Sequence, residues 1–552
     1  MKIKHFDMEK ASISGFCVFC RNNIPLIIAV SITLFFAYGI RLFWYSIGID
    51  TELFMADKAG NLKWSISIGR FGYVALSKLL YINGFNPFTA FFTAFCLIWF
   101  FTISWCYIIA IFTRDTGRNN KLIPFALVFM TMPVWAEQFY FLLQAAENAF
   151  ILSLCPYVVY LLYKGFLDNE KGKIICASIL LVFMTSVYQA IVPLFCCGVF
   201  ICFVLLQEQT DYEPQVYRNL CLKLFITLVG AMAVYSIIDG VIIPALFHIE
   251  KSDRWDRYIE WGNTPIREIM LRILLQGYII TIGQFNIVQS IANPIMLQYS
   301  RFGMGGVEMI AIASKLLGNI FIIPITILFF IKISTVMRRE IPGGRRLLYM
   351  IAGIGIPLCI MLLTILTGNK LNVRALWALP LAFSFMFFYL IKSYRNRIAV
   401  TIVACLALLT AVYQAQITAQ LFYSDQIRYN EDVRLASDLN DMITHVQPDN
   451  EKLPVALIGG YSPASRFRSN FIQGEVMGHS VTQWANPDIP SDINGRGLAF
   501  MRSLGFNYDM PNADQLDQAD KEAALMPGYP DPGCVKRMQD FIVVRISETL
   551  YD

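Results

Sequence analysis

Long apolar runs separated by short polar stretches occupy most of this chain. They fall near residues 24–45, 88–113, 121–137, 147–164, 173–190, 191–208, 221–243, 314–333, 347–367, 375–392 and 398–421, about eleven in all. Each is close to the twenty or so residues that carry a helix across a ~30 Å hydrocarbon layer. The runs are continuous and lack period-two alternation, which excludes a closed β-barrel. No small-residue cleavage pattern follows the first run, so it is expected to remain as the first helix.

The polar positions between the runs sort by charge. Arg114, Arg118 and Lys121 fall after the second run, and Lys164, Lys171 and Lys173 after the fourth. Lys332, Arg338, Arg339, Arg345 and Arg346 follow the eighth, and Lys392, Arg395 and Arg397 the tenth. Counting crossings puts all four clusters on one side with Lys2, Lys4, Lys10 and Arg21, and the positive-inside rule makes that side cytoplasmic. The loop 209–220, with Asp211 and Glu213, matches this assignment poorly. Segment 270–300 is apolar enough to be a twelfth span, but counting it would move the arginines of "MRREIPGGRR" outside. Gln276, Gln284, Asn286 and Gln289 give it polar positions, and it is expected to be an interfacial or re-entrant helix on the outer face.

From Ser424 the pattern changes. Residues 424–552 carry charges throughout, with turn signals in "GYPDPG" and "NGRG". "PVALIGG" and "FIVVRI" predict two buried strands, and helical patterns appear near 430–446 and 512–525. The expected fold is therefore an all-α polytopic membrane domain over 1–423, followed by a small α/β domain that the crossing count puts outside. "VALIGGYSPAS" enters a glycine turn without G-x-G-x-x-G, which argues against a nucleotide site.

Composition agrees with this class and adds little beyond it. The chain of 552 residues is 56% hydrophobic and 15% charged, against about 25% charged in soluble proteins, and its mean hydropathy is +0.53. Most of its 13 cysteines lie in or beside apolar runs, where Cys behaves as a small hydrophobe. Cys17 and Cys20 form a C-x-x-C without a second pair, and the four histidines are scattered, so no metal site is expected.

Candidate chemistry gathers on the predicted outer face. "SIGIDTELF" places Asp50 and Glu52 just beyond the first span, at the start of an amphipathic outer loop, 48–86, that includes Lys63, Arg70 and Lys78. Two residues apart, the acids share a face in an extended segment and diverge by roughly 200° in a helix. Glu137 and Glu147 flank the short turn "AEQFYFLLQAAEN", and an acid at the lip of a span is expensive enough to point to function. "TGNKLNVRALWALP" puts Lys370 and Arg374 at the outer start of the tenth span, where a guanidinium can fork onto a lipid phosphate. Solvated loop acids and snorkelling cations are the plainer reading of each position alone.

"IGIDTE", "SIGRFGY", "QAAENAF" and "SVYQA", spread over residues 35–400, resemble the serotype-converting glucosyltransferases of bacterial O-antigen, the Gtr type II group. The resemblance implies a GT-C-like enzyme of the bacterial inner membrane. Such an enzyme transfers a sugar, glucose in the named group, from a polyprenyl-phosphate donor to a lipid-linked surface glycan on the extracytoplasmic side. It further implies an Asp of the first outer loop as catalytic base, here Asp50 with Glu52 as its neighbour. A basic residue of a late outer loop would bind the donor phosphate, here Arg374, with Lys370, Arg70 and Glu147 as further substrate-binding candidates. No cofactor is required, although a carboxylate pair is compatible with Mg²⁺ or Mn²⁺. A donor-synthesising enzyme and a small flippase are the expected partners. An O-antigen polymerase or ligase is the nearest alternative, but would lean on basic residues in large outer loops. A transporter or flippase would show mid-span polar residues and repeated halves, and neither is evident.

Overall fold

The computed structural model describes residues 11–82, 84–252, 258–283, 318–447, 452–461, 471–484 and 490–547. Each predicted apolar run carries helix over most of its described residues, that at 314–333 from Ile322 onward. Among the described residues, six helices are long and apolar enough to cross a membrane, or up to eight if each bent pair is one span. Three of the predicted runs fall short of one long straight helix for local reasons. The third run is split into Leu122–Thr131 and Pro133–Tyr140, bent by 43° where Pro133 cannot continue the hydrogen-bond ladder. Lys171–Val187 and Ala378–Ser393, at 17 and 16 residues, fall short of the full length.

The loops sort to two ends of the bundle. At one end Asn23 bonds Gly117 and Asn119, and the Ala11 amide donates to the Tyr160 hydroxyl. At the same end Glu208 accepts from Tyr349 and pairs with Lys392. Asp211 also lies here, 3.5 Å from Arg345, whose guanidinium donates to the Thr210 carbonyl at 2.7 Å. Asp211, one of the two acids of the 209–220 loop that are anomalous by charge counting, is thus set against a buried arginine. The opposite end gathers 46–82, 137–148, 188–189, 258–283, 368–377 and the C-terminal residues. Of the predicted 270–300 element, the described part belongs to Ile266–Ile282, whose Gln276 accepts from the Leu371 amide at 3.0 Å; the part from 284 on lies outside the described residues.

Arg397–Val446 is one helix of 50 residues, about 75 Å at 1.5 Å per residue. The predicted junction at 423/424 falls within it, because composition changes from apolar to charged along one continuous helix. Its last turns, through Leu435, Leu439 and Ile443, pack with Val455, Leu457, Ile542 and Val544. Those residues come from a three-stranded sheet of order β1-β3-β2: β1 is Val455–Ile458, β2 Val535–Arg537 and β3 Ile542–Arg545. The two predicted strands are parallel neighbours, Val455 opposite Ile542. Asn512 and Gln515 form a capping box at the start of Ala513–Ala523, the predicted 512–525 helix. "NGRG" is not a turn: it lies inside the helix Pro490–Ser503.

A buried ionic knot fastens the segment after the first span to this long helix. Asp425 accepts from Ser46 Oγ at 2.6 Å and from Arg428 Nη2 at 2.5 Å, and pairs with Arg41 at 3.4 Å. Arg428 also donates to the Ile47 carbonyl at 2.9 Å and to the Tyr140 hydroxyl at 3.1 Å. Breaking a buried pair leaves an uncompensated charge and costs about 3–5 kcal/mol. Asp425→Ala, which leaves Arg41 without its ion-pair partner and Arg428 with Asp432 as its remaining one at 3.2 Å, is expected to lose that much. A lowered denaturation midpoint in detergent would register it, and an unchanged midpoint would remove the knot from the stability of the fold.

Candidate active site

Residues 46–49, pinned by the knot, deliver Asp50. Gly48 passes so close to Tyr140 that a Cβ would stand 2.3 Å from its ring, and the Ile49 amide donates to the Tyr140 hydroxyl at 3.3 Å. Asp50 then takes a left-handed backbone, φ 67°, and opens the short helix Thr51–Ala56. Its side chain does not cap that helix; instead Oδ1 accepts from Arg496 Nη1 at 3.0 Å. Glu52 Oε1 accepts from the same nitrogen at 3.0 Å. The left-handed residue resets the helical phase, so both acids reach one point although the segment is neither strand nor continuous helix.

Their environments differ. The Asp50 side chain is 41% exposed and that of Glu52 is fully enclosed, with Oε2 lacking a hydrogen-bond partner. Burial pushes the Glu52 carboxyl up to about 7, against the pull of Arg496 and with Asp50 adding to the rise.

Arg374 sits in the turn Val373–Ala375 and forms an ion pair with Glu475, Nη1 to Oε1 at 2.5 Å. Its backbone amide meets the other Glu475 oxygen at 3.2 Å. The loop bearing Glu475 is held by Glu137, whose two oxygens accept from the Glu475 and Val476 amides at 2.9 and 3.0 Å. The Arg374 guanidinium lies over the Phe141 ring, 4.9 Å from its centre. Burial opposes its charge, but Glu475 foremost, with Tyr188 and Asp50, holds the group above its ordinary range. Asp50 and Arg374 both border the helix Pro133–Tyr140, the first beside Tyr140 and the second through Glu475 and Glu137. Lys370, half-buried nearby, makes no ion pair or side-chain hydrogen bond through its amine among the described residues. Burial brings the amine down to about 8, with Glu475 acting against the shift.

The other two candidates are neighbours rather than members of this pair. Arg70 Nη1 lies 3.4 Å from Gln144 Oε1, and its guanidinium covers the Tyr188 ring at 4.5 Å. Tyr188 stacks on Trp377 at 4.9 Å, and Trp377 Nε1 donates to the Arg374 carbonyl at 2.9 Å. Arg70 and Arg374 are therefore linked through an aromatic wall. Glu147 is enclosed, with neither oxygen hydrogen-bonded, and interacts with Tyr73 and Tyr81 rather than with Asp50. Three of the four sequence stretches meet at Arg70, which touches Gln144 of "QAAENAF" and Tyr188 of "SVYQA", while Ile49 of "IGIDTE" meets Tyr140, just before "QAAENAF".

Sequence reasoning missed Arg496 and Glu475. Arg496 stood in what read as a turn, and Glu475 in a segment without pattern. Each is a counter-charge to a candidate from a distant part of the chain, and no local signal marks such a pairing. Among the described residues no group of three or more His, Cys, Asp or Glu is arranged to hold a metal ion.

An exposed carboxylate, Asp50, and a buried guanidinium, Arg374, thus stand at the same end of an apolar helical bundle. The class of protein is shown by comparison. Residues 39–391 match the profile of the Glucosyl transferase GtrII family, and the chain belongs to that family. It is thus a multi-pass membrane glycosyltransferase. No curated protein matches the chain. Among solved structures, the apo oligosaccharyltransferase of Archaeoglobus fulgidus aligns with a TM-score of 0.36 at 13% identity, over 73% of this chain and 57% of that one. The chain therefore spans just over half the length of that protein.

Proposed function

We propose that this glucosyltransferase takes glucose from a polyprenyl-phosphate carrier and delivers it to a hydroxyl of a lipid-linked surface glycan such as O-antigen. The reaction is assigned to the outer face of a bacterial cytoplasmic membrane, in a GT-C-like chain of about eleven crossings whose residues 424–552 lie outside. The observation that carries the reading is that one short helix, Pro133–Tyr140, anchors the surroundings of both Asp50 and Arg374: the Tyr140 hydroxyl accepts from the Ile49 amide beside Asp50, and Glu137 holds the loop whose Glu475 pairs with Arg374. Asp50 can take a proton from an acceptor and Arg374 can hold a phosphate.

In this reading the acceptor oxygen attacks the anomeric carbon as the bond to the phosphate oxygen breaks. The hydroxyl proton passes to Asp50, and the electron pair leaves on the polyprenyl phosphate. Arg374 stabilises that developing charge without moving, and a single displacement inverts the anomeric centre. Glu475 occupies Arg374 in the unliganded protein, and the donor phosphate takes its place. The exposure of Asp50, against the enclosure of Glu52, supports the former as the base.

The test is transfer in proteoliposomes, with labelled polyprenyl-phosphate glucose and a lipid-linked glycan as the two substrates. Label is expected in the glycan; transfer from a nucleotide sugar but not from the lipid donor would overturn the reading. Orientation is tested separately with cysteines introduced at Lys63, Asp514 and Gly343 in a chain freed of its native ones. An impermeant thiol reagent on intact cells is expected to label the first two and spare the third. The reverse pattern would place the site on the cytoplasmic side.

A further inference from the structure

The C-terminal residues enter the acid pair through one side chain. Pro490–Ser503 packs along Thr51–Ala56 and carries Arg496 at their junction. Nη1 stands 3.0 Å from both Asp50 Oδ1 and Glu52 Oε1, while Asp492, one turn earlier, lies 3.4 Å from Nε. The contact to Arg496 is the one hydrogen bond that the Asp50 carboxylate makes among the described residues. Without it, that side chain would be free to turn about its own bonds on a backbone that gives it no cap. The Arg496 side chain is only 14% exposed, so three carboxylates meet a guanidinium largely withdrawn from water.

We propose that Arg496 is a positioning residue for the transfer reaction: by bridging Asp50 and Glu52 through one nitrogen, it holds the exposed carboxylate in the orientation that meets the acceptor hydroxyl. The active site is then incomplete without the C-terminal segment. This rests on the reading of Asp50 as the base. Burial works against the Arg496 charge, yet Asp50 and Glu52, with Asp492, more than offset it. Among the described residues, the charged groups nearby include Lys58, which lies over the Phe54 ring at 6.0 Å, and Arg428, which donates to the Ile47 carbonyl at 2.9 Å. Glu147, on the helix behind, interacts with Tyr73 and Tyr81 instead.

The experiment compares Arg496→Ala, Arg496→Lys and Asp50→Asn in the full-length protein in proteoliposomes, with kcat, donor KM and the pH–rate profile as readouts. Arg496→Ala is expected to lower kcat about a hundredfold, the effect of a reacting group misplaced by ~1 Å, with donor KM within about twofold of wild type. Arg496 pulls against the burial that raises the Glu52 carboxyl, so losing the cation keeps Glu52 protonated to higher pH, and the acid limb is expected to move the same way. Added guanidinium is expected to restore part of the rate. Arg496→Lys keeps the charge but not the planar fork, and is expected to fall between Ala and wild type. A drop in kcat with an unmoved acid limb and no rescue would mean a structural role and overturn the proposal. So would wild-type kcat in Arg496→Lys, the variant that decides if the alanine chain does not fold. A fully active Asp50→Asn would instead overturn the base assignment, whereas an inactive Asp50→Asn beside a wild-type Arg496→Ala would refute only the role of Arg496.

Discussion

Asp50→Asn is expected to lower sugar transfer by roughly two to four orders of magnitude, the worth of a positioned general base, while donor binding survives. The substitution suits the question because Asp50 sits at φ 67°, and Asn is among the side chains that best tolerate that backbone. The amide keeps the shape and can still accept from Arg496, so a loss of rate reports the missing proton acceptor. Glu52→Gln is expected to do less, since an enclosed carboxyl cannot reach an acceptor from outside. Near-normal transfer by Asp50→Asn beside an inactive Glu52→Gln would exchange their roles. Normal transfer by the double variant would remove this loop from the chemistry, and Glu147 would be the next residue to test.

Arg374→Ala is expected to lower kcat/KM for the donor by on the order of 10²–10³, the usual loss when a donor aimed at developing negative charge is removed. Arg374→Lys should recover only part, because an ammonium cannot reproduce the fork. The structure adds a complication that has its own test. Arg374 also neutralises Glu475, whose side chain is buried, so the alanine variant strands a carboxylate as well as removing a phosphate ligand. Arg374→Ala/Glu475→Gln removes that second effect, and its remaining deficit measures the phosphate contact alone. Glu475→Gln by itself is expected to lower donor KM, since the phosphate no longer displaces a charge from Arg374. Unchanged donor kinetics in Arg374→Ala would leave this arginine a structural partner of Glu475 and nothing more.

The membrane class, helix over most of the described residues of each apolar run and the gathering of loops at two ends were legible from the chain alone. So were the strands β1 and β3, and the placing of Asp50 and Arg374 at one end. These follow from local rules. A helix in lipid must satisfy its own backbone and show apolar side chains, so twenty contiguous residues carry the whole signal. Family membership was legible as well, in short stretches such as "IGIDTE" and "SVYQA".

Tertiary structure alone decided what each charged group faces. Arg496 meets Asp50 across 446 residues of chain, Glu475 meets Arg374 across 101, and Asp425 meets Arg41 across 384. An ion pair depends on distance in space and on exclusion of water, and neither is written in the spacing of residues along a sequence. The same is true of the difference between Asp50 and Glu52. They are two positions apart and chemically near-equivalent as letters, yet one left-handed residue and one packed helix leave the first open to solvent and enclose the second.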